Sequence, residues 1–186
     1  QATASPMQVI RPIHLSGYDR EEDDFYATPP WVTACLLSHV GLRGPVWEPC
    51  CGDGAIARVL GEKGHLVVAS DLADYGFGAS GVDFFGCREM PGGCRSLVTN
   101  PPYGDGGPAR RTTNVSVAML RFVRHALDLT EKANGQLALL VRFQWIAGKR
   151  AAALLTSGPL DVVIALTRRI QWFDHGPLTT TGQHHH

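Results

Sequence analysis

Short apolar runs alternate with segments of helical periodicity along most of this chain. Runs rich in apolar and β-branched residues predict strands, and apolar residues recurring every three or four positions predict helices. The predicted strands lie at residues 46–47, 65–69, 97–99, 137–141 and 162–166, with a short strand or strand end at 82–85. The predicted helices lie at residues 31–37, 55–63, 115–129 and 149–155. This alternation indicates an α/β fold with a doubly wound, mostly parallel sheet.

The strand predicted at residues 97–99 ends abruptly, because Asn100, Pro101, Pro102 and Tyr103 follow it. A proline has a fixed φ and no backbone N–H, so the strand cannot continue through this segment. The residue before a proline is held in an extended conformation. An amide, a fixed carbonyl and an aromatic ring therefore sit together at the carboxyl end of a strand, where open α/β sheets bind ligands.

A glycine loop at residues 48–54 follows an earlier strand and opens a helix. Gly52 and Gly54 begin a G-x-G-x-x-A pattern, and Asp71 follows Gly52 by 19 residues. Nucleotide-binding βαβ units place a ribose-binding acid at this distance. Glu48 would repel a pyrophosphate and instead suits a cationic cofactor. S-adenosylmethionine is such a cofactor, since it has a ribose, an amino acid and a sulfonium but no phosphate.

Length and composition favour one domain at residues 25–183, preceded by a solvated tail at 1–24. A His run at 184–186 is read as a tag remnant or a truncation point. The 17 basic and 17 acidic residues exclude a strongly basic binder. The net charge is −5 over residues 1–100 and +5 over 101–186, which weakly favours an anionic partner on the second half.

Five cysteines show no zinc-site spacing, so we expect no metal and free thiols in a reducing cytoplasm. The chain has no apolar run of 18 residues and no signal peptide. These features predict a cytoplasmic protein without a membrane span.

Together, these motifs resemble the amino-methyltransferases, which use S-adenosylmethionine to methylate exocyclic nitrogens of DNA bases. Residues 100–103 match their catalytic tetrapeptide and residues 48–54 their cofactor loop. Residues 25–29, Phe-Tyr-Ala-Thr-Pro, resemble the upstream element that grips the methionine carboxylate. The resemblance covers roughly residues 25–170 and implies a Rossmann-like class I methyltransferase fold, here without its last strand. Cofactor motifs that precede the tetrapeptide are common among N6-adenine enzymes.

The resemblance implies a role for each matching residue. Asn100 Oδ1 and the Pro101 carbonyl would accept the two hydrogens of the adenine N6 amine. Pro102 belongs to the same catalytic tetrapeptide, and Tyr103 would stack on the extruded base. Asp71 would bind the ribose, Asp83 the cofactor adenine amine, and Phe84 the adenine ring. The implied cofactor-binding residues are Tyr26, Thr28, Glu48, Pro49, Cys50, Gly52, Gly54, Asp71, Leu72, Asp83 and Phe84.

Several alternatives stay open at this point. Asn-Pro-Pro-Tyr also occurs in enzymes that methylate RNA bases or a protein glutamine amide, and a non-catalytic binding module is a further alternative. Thr28 also fits a plain helix N-cap, and Phe85 is assigned to core packing. Cys50 is disfavoured as a nucleophile because it lies inside the cofactor loop.

DNA is the expected partner. No separate target-recognition domain fits after residue 175, so we expect low sequence specificity, recognition by the loops at residues 73–96 and 104–114, or a missing part. Arg110 and Arg111 would contact DNA phosphates, or else would be solvated charges of a loop.

Overall fold

The computed structural model describes residues 27–103, 115–158 and 160–170. The elements in chain order are α1 (Pro30–His39), β1 (Val46–Glu48), α2 (Ala55–Glu62), β2 (Val67–Ala69), β3 (Ser96–Thr99), α3 (Val115–Lys132), β4 (Gln136–Leu139), α4 (Phe143–Ile146) and α5 (Lys149–Ser157). Two single-turn 3-10 helices, Phe84–Gly86 and Pro91–Gly93, lie between β2 and β3.

The described strands form one parallel sheet in the order β2-β1-β3-β4. Trp47 pairs with Val68 on one side and with Leu97 on the other, so β1 is hydrogen-bonded along both edges. The chain runs from β1 to β2 in one direction and continues from β3 to β4 in the other. The strand order therefore reverses between β1 and β3, and such a reversal opens a crevice at the carboxyl ends of the strands.

Helices cover both faces of this sheet. Val46 and Val98 pack with Ile56 and Leu60 of α2 on one face. Trp47 and Leu97 point to the opposite face, because successive strand side chains alternate, and there they pack against α3. The predicted α/β class with a parallel sheet is confirmed, and the arrangement is compatible with a Rossmann-like fold.

Helix α2 is short and amphipathic, and Ile56 and Leu60 pack on the sheet. Its buried side chains are Ile56, Ala57, Val59 and Leu60. Gly64 follows the helix with φ +87°, a left-handed conformation that L side chains rarely adopt. The predicted stop of this helix at Gly64 is therefore confirmed.

The strand predicted at residues 162–166 is wrong, because the structure assigns this segment neither to a strand nor to a helix. Val162 is 55% exposed and Val163 is 48% exposed. β-Branched residues favour a strand only where a neighbouring strand supplies hydrogen bonds and an apolar face. Among the described residues, the sheet ends at β4.

The short strand predicted at residues 82–85 is also wrong, because Phe84–Gly86 forms a 3-10 turn. The Phe85 N–H donates to Asp83 Oδ1 at 3.0 Å. This local hydrogen bond competes with strand pairing, as is typical of aspartate before a turn.

None of the helices in the described residues is both long enough and apolar enough to cross a membrane.

We expect Leu97→Ala to lower the free energy of unfolding by about 2–5 kcal/mol, because Leu97 is 0% exposed between the sheet and α3. Urea denaturation followed by circular dichroism measures this loss. Leu66→Ala is the matched control, since Leu66 is 75% exposed and its truncation should change stability by less than about 0.5 kcal/mol. Equal losses in the two variants would contradict this core assignment.

Candidate functional site

Three polar segments meet at the carboxyl edge of the sheet. Glu48 ends β1, Asp71 lies two residues beyond β2, and Asn100 directly follows β3. The Ser70 N–H donates to the Glu48 carbonyl at 2.9 Å, and the Cys51 N–H donates to the Ser70 carbonyl at 3.1 Å. These bonds hold the loop after β1 against the end of β2. The site therefore lies at the point where the strand order reverses.

Asp71 anchors the glycine loop. The Gly52 N–H donates to Asp71 Oδ2 at 2.8 Å, and the Ala73 N–H donates to Asp71 Oδ1 at 3.1 Å. The 19-residue spacing between Gly52 and Asp71 thus corresponds to a direct contact. Each carboxylate oxygen can accept more than one hydrogen bond, so the anchoring role is compatible with a further hydroxyl donor.

Gly52 and Gly54 have φ values of +52° and +86°, and both conformations favour glycine. A Cβ at Gly54 would lie 2.5 Å from the Phe77 ring. The Arg58 guanidinium covers the same ring at 4.6 Å from its centroid. The segment after β2 therefore packs directly on the glycine loop, and a side chain at Gly54 would displace it.

Glu48 is a buried acid with an unusual environment. Its side chain is 1% exposed, and Oε2 has no hydrogen-bond partner among the described residues. Burial, together with the nearby charges of Asp71 and Asp53, raises the Glu48 pKa from 4.5 to about 9, although a hydrogen bond from the Ala57 backbone opposes this shift. Near neutral pH the carboxyl group therefore holds a proton. A cation placed beside Glu48 would favour the carboxylate, so this site suits a cationic group and disfavours a phosphate.

The two cysteines of the loop are not activated. Burial raises the pKa of the Cys50 thiol, and Asp71 and Glu48 raise it further. Burial likewise raises the Cys51 pKa to about 12, with Glu48 and Asp71 again adding to the shift. A thiolate is the nucleophilic form of cysteine, so neither residue is poised as a nucleophile.

The tetrapeptide after β3 leaves the sheet as predicted. The last strand residue is Thr99, whose carbonyl accepts the Leu140 N–H at 3.0 Å. Asn100 and Pro102 are half-buried, and Pro101 is fully buried. The strand end at the prolines is confirmed, and Asn100 lies at the carboxyl edge beside β1.

Tyr103 packs inside the protein in this structure. Its ring contacts Met119 and Val123, and its hydroxyl donates to the Leu140 carbonyl at 3.3 Å. The Arg142 guanidinium lies 4.5 Å from the ring centroid. Burial raises the Tyr103 pKa to about 12, although the charge of Arg142 opposes this shift. Stacking of a base on this ring would require Arg142 to move.

Phe84 lies deeper in the protein than Phe85. Phe84, expected to lie on an adenine ring, is in the core and stacks on Phe122 with centroids 4.3 Å apart. Phe85, expected in the core, is partly buried and packs against the same cluster, and Arg121 covers its ring at 4.1 Å. Because residues 84–86 form a 3-10 turn, the alternation of side chains expected for a strand does not predict which of the two rings is buried.

The other expected cofactor residues are placed as follows. Asp83 and Leu72 are exposed, and Pro49 is buried beside Glu48. Thr28 is buried but does not cap a helix, because Pro29 is the N-cap of α1 and no side chain caps it. The expected N-cap role of Thr28 is therefore wrong.

Tyr26, Arg110 and Arg111 lie outside the described residues, as does the segment at 1–24. The five cysteines are free thiols. Within the described ranges, no three His, Cys, Asp or Glu side chains form a group that could hold a metal ion.

Two residues near the site are absent from the sequence-based assignment. Arg142 lies three residues beyond β4, at the same sheet edge as Asn100. Ligands of open α/β sheets bind at the carboxyl ends of strands, so the position of Arg142 after the fourth strand was a usable signal. Phe77 carries no comparable signal, because its contact with Gly54 depends on how the segment after β2 folds back.

No protein-family model matches the chain, and no curated protein matches it either.

Glu48 should make stability depend on pH. Its folded-state pKa of about 9 exceeds the ordinary value of 4.5, so the folded protein holds a proton that the unfolded chain releases. The stability linked to this proton is complete below the ordinary value and is lost as the pH rises toward the folded-state value. From about pH 5 to about pH 8, we expect the unfolding free energy of the wild type to fall relative to that of Glu48→Gln, by up to about 1.4 kcal/mol per pH unit.

Urea denaturation of both proteins at several pH values measures this difference. Glu62→Gln on the exposed end of α2 is the control and should follow the wild-type pH profile. Parallel profiles for the wild type and Glu48→Gln would show that the buried carboxyl group does not hold the proton.

Proposed function

We propose that this protein is an S-adenosylmethionine-dependent N-methyltransferase with a class I methyltransferase fold, and that its target is the N6 amine of adenine in DNA. The observation that carries the proposal is the convergence of three segments at one sheet edge. These segments are the Glu48 loop, the Asp71 anchor and the tetrapeptide that begins at Asn100.

The cofactor side of the proposal rests on charge and shape. Glu48 supplies a buried carboxyl group that suits a cationic cofactor, and the glycines of the loop leave its backbone uncovered by side chains of their own. Asp71 holds Gly52 and can also accept a ribose hydroxyl. Leu72 is exposed next to Asp71 and offers an apolar surface to a purine. When bound there, S-adenosylmethionine supplies an electrophilic methyl group.

The acceptor side rests on the tetrapeptide. The lone pair of an exocyclic amine is delocalised into the ring, so the amine is a poor nucleophile. Asn100 Oδ1 and the Pro101 carbonyl would accept its two hydrogens and direct the lone pair toward the methyl group. Such a site acts by positioning and electrostatics and needs no covalent intermediate. Cys50 has no role in this step, since its thiol stays protonated.

The decisive experiment is incubation with radiolabelled S-adenosylmethionine and DNA, RNA or protein, followed by analysis of the labelled nucleosides or amino acids. Label in N6-methyladenine of DNA is the expected result. Label in an RNA base or in a glutamine amide would replace DNA as the substrate but keep the reaction. Cofactor binding without transfer to any of the three would indicate a binding module and overturn the proposed activity.

Asn100→Ala should reduce methyl transfer by at least about 10²–10³-fold, because a hydrogen-bond partner of the reacting amine is lost. The dissociation constant for S-adenosylmethionine, measured by calorimetry, should stay close to the wild-type value. Loss of cofactor binding in this variant would instead assign Asn100 to the cofactor side.

In Asp71→Ala we expect cofactor binding to be the step that is impaired, because the variant loses the carboxylate that holds Gly52. Its affinity for the cofactor should fall, and the same calorimetric measurement should show this directly.

A further inference from the structure

The two sides of the candidate site carry opposite charge. Residues 48–89, which include the glycine loop and the Asp71 anchor, hold seven acidic and three basic residues. Residues 132–160, which include β4, α4 and α5, hold four basic residues and no acidic residue. An acidic side suits a cationic cofactor, and a basic side suits an anionic substrate.

Three of these basic residues follow β4 at the carboxyl edge. We call these residues, Arg142, Lys149 and Arg150, the basic strip. All three side chains are exposed and lie within nine residues of the sequence, and the single turn of α4 separates Arg142 from the other two. None of the three forms an ion pair with a residue that the structure describes. Among the described residues, Lys132 does form one, with Asp128. Their charge is therefore not neutralised by a described carboxylate.

Arg142 connects the basic strip to the acceptor tetrapeptide. Arg142 lies over the Tyr103 ring at 4.5 Å, and Tyr103 is three residues from Asn100. A ligand that contacts Arg142 therefore lies next to the acceptor side of the site.

Phe143 adds an aromatic surface to this strip. Its side chain is 70% exposed, although the neighbouring Trp145 packs into the cluster around Tyr103. A large exposed ring among unpaired cations is the combination by which proteins bind single-stranded nucleic acid, with phosphates on the cations and a base on the ring.

We propose that Arg142, Phe143, Lys149 and Arg150 bind the nucleic-acid strand that carries the target base. The phosphates of an unpaired segment contact the basic strip, and a flanking base stacks on Phe143. The proposal rests on the proposed function for the identity of the target, but binding of the strand can be measured without methyl transfer.

The first test measures binding of a fluorescent single-stranded oligodeoxyadenylate by anisotropy at several salt concentrations. Lys149→Ala combined with Arg150→Ala should weaken binding by about tenfold. It should also reduce the slope of log K against log salt by about 1.4, since each phosphate contact to a single strand contributes about 0.7. The matched control is Lys63→Ala combined with Arg43→Ala, which removes one lysine and one arginine that are exposed near the opposite, amino edge of the sheet.

The second test separates nucleic-acid recognition from general attraction of anions. Phe143→Ala should weaken binding of the oligonucleotide by about fivefold or more, because stacking on one base is lost. The same variant should bind polyphosphate, which has no bases, as the wild type does. Leu66→Ala removes an equally exposed apolar side chain near the amino edge and should change neither affinity. Urea denaturation checks that all variants keep wild-type stability.

The outcomes distinguish this proposal from the proposed function. Wild-type affinity and salt slope in the Lys149→Ala, Arg150→Ala variant would overturn the strand-binding site even if the protein methylates DNA. Equal loss of oligonucleotide and polyphosphate binding in Phe143→Ala would overturn the stacking role. A protein that binds the oligonucleotide through these residues but transfers no methyl group would refute the proposed activity and leave the binding site standing. Methylation of a protein glutamine without oligonucleotide binding would overturn the site.

Discussion

Parallel pairing of β1 along both of its edges is the constraint on which the rest of the site depends. Because β2 and β3 run in the same direction as β1, the segments that follow all three strands emerge at one edge of the sheet. Glu48, Asp71 and Asn100 are far apart in sequence, and the register of these strands alone brings them to one place. The core supports this register from both sides, since neighbouring residues of β1 face α2 and α3 in turn.

A second constraint follows from the burial of Glu48. A carboxyl group that is out of water and has one oxygen without a described partner costs stability unless it is protonated. Such a group is uncommon in a core that serves packing alone, and strongly shifted acids cluster at functional sites. The neighbouring Asp53 and Asp71 place negative potential on one side of the site, whereas Arg142, Lys149 and Arg150 leave the other side positive. This division of charge supports the proposed cationic cofactor on one side and the proposed anionic strand on the other.

Features governed by local chemistry were predictable from the sequence. The prolines at 101 and 102 end β3 because they cannot pair, and Gly64 ends α2 because glycine readily adopts a positive φ. The spacing between Gly52 and Asp71 predicted a ribose-binding acid, which stays a prediction, and the structure adds a hydrogen bond from the Gly52 N–H to that carboxylate. By contrast, the apolar residues 162–166 have the composition of a strand but do not pair, and Asp83 turns Phe84 into the core through a hydrogen bond that periodicity does not reveal. Thr28 failed as a cap because the helix begins one residue later than its hydroxyl requires.

The sequence was thus sufficient for the class of fold, for the end of β3 and for the chemical types of the residues that follow the paired strands. Backbone geometry at proline and glycine depends on near neighbours, which the sequence shows directly. The environment of those residues could be learned only from the tertiary structure. The raised pKa of Glu48, the protonated state of Cys50 and the covering of Tyr103 by Arg142 each depend on atoms distant in sequence. Desolvation and charge–charge interactions act through space. Their strength therefore depends on burial and on contact distances, and does not depend on the order of residues along the chain.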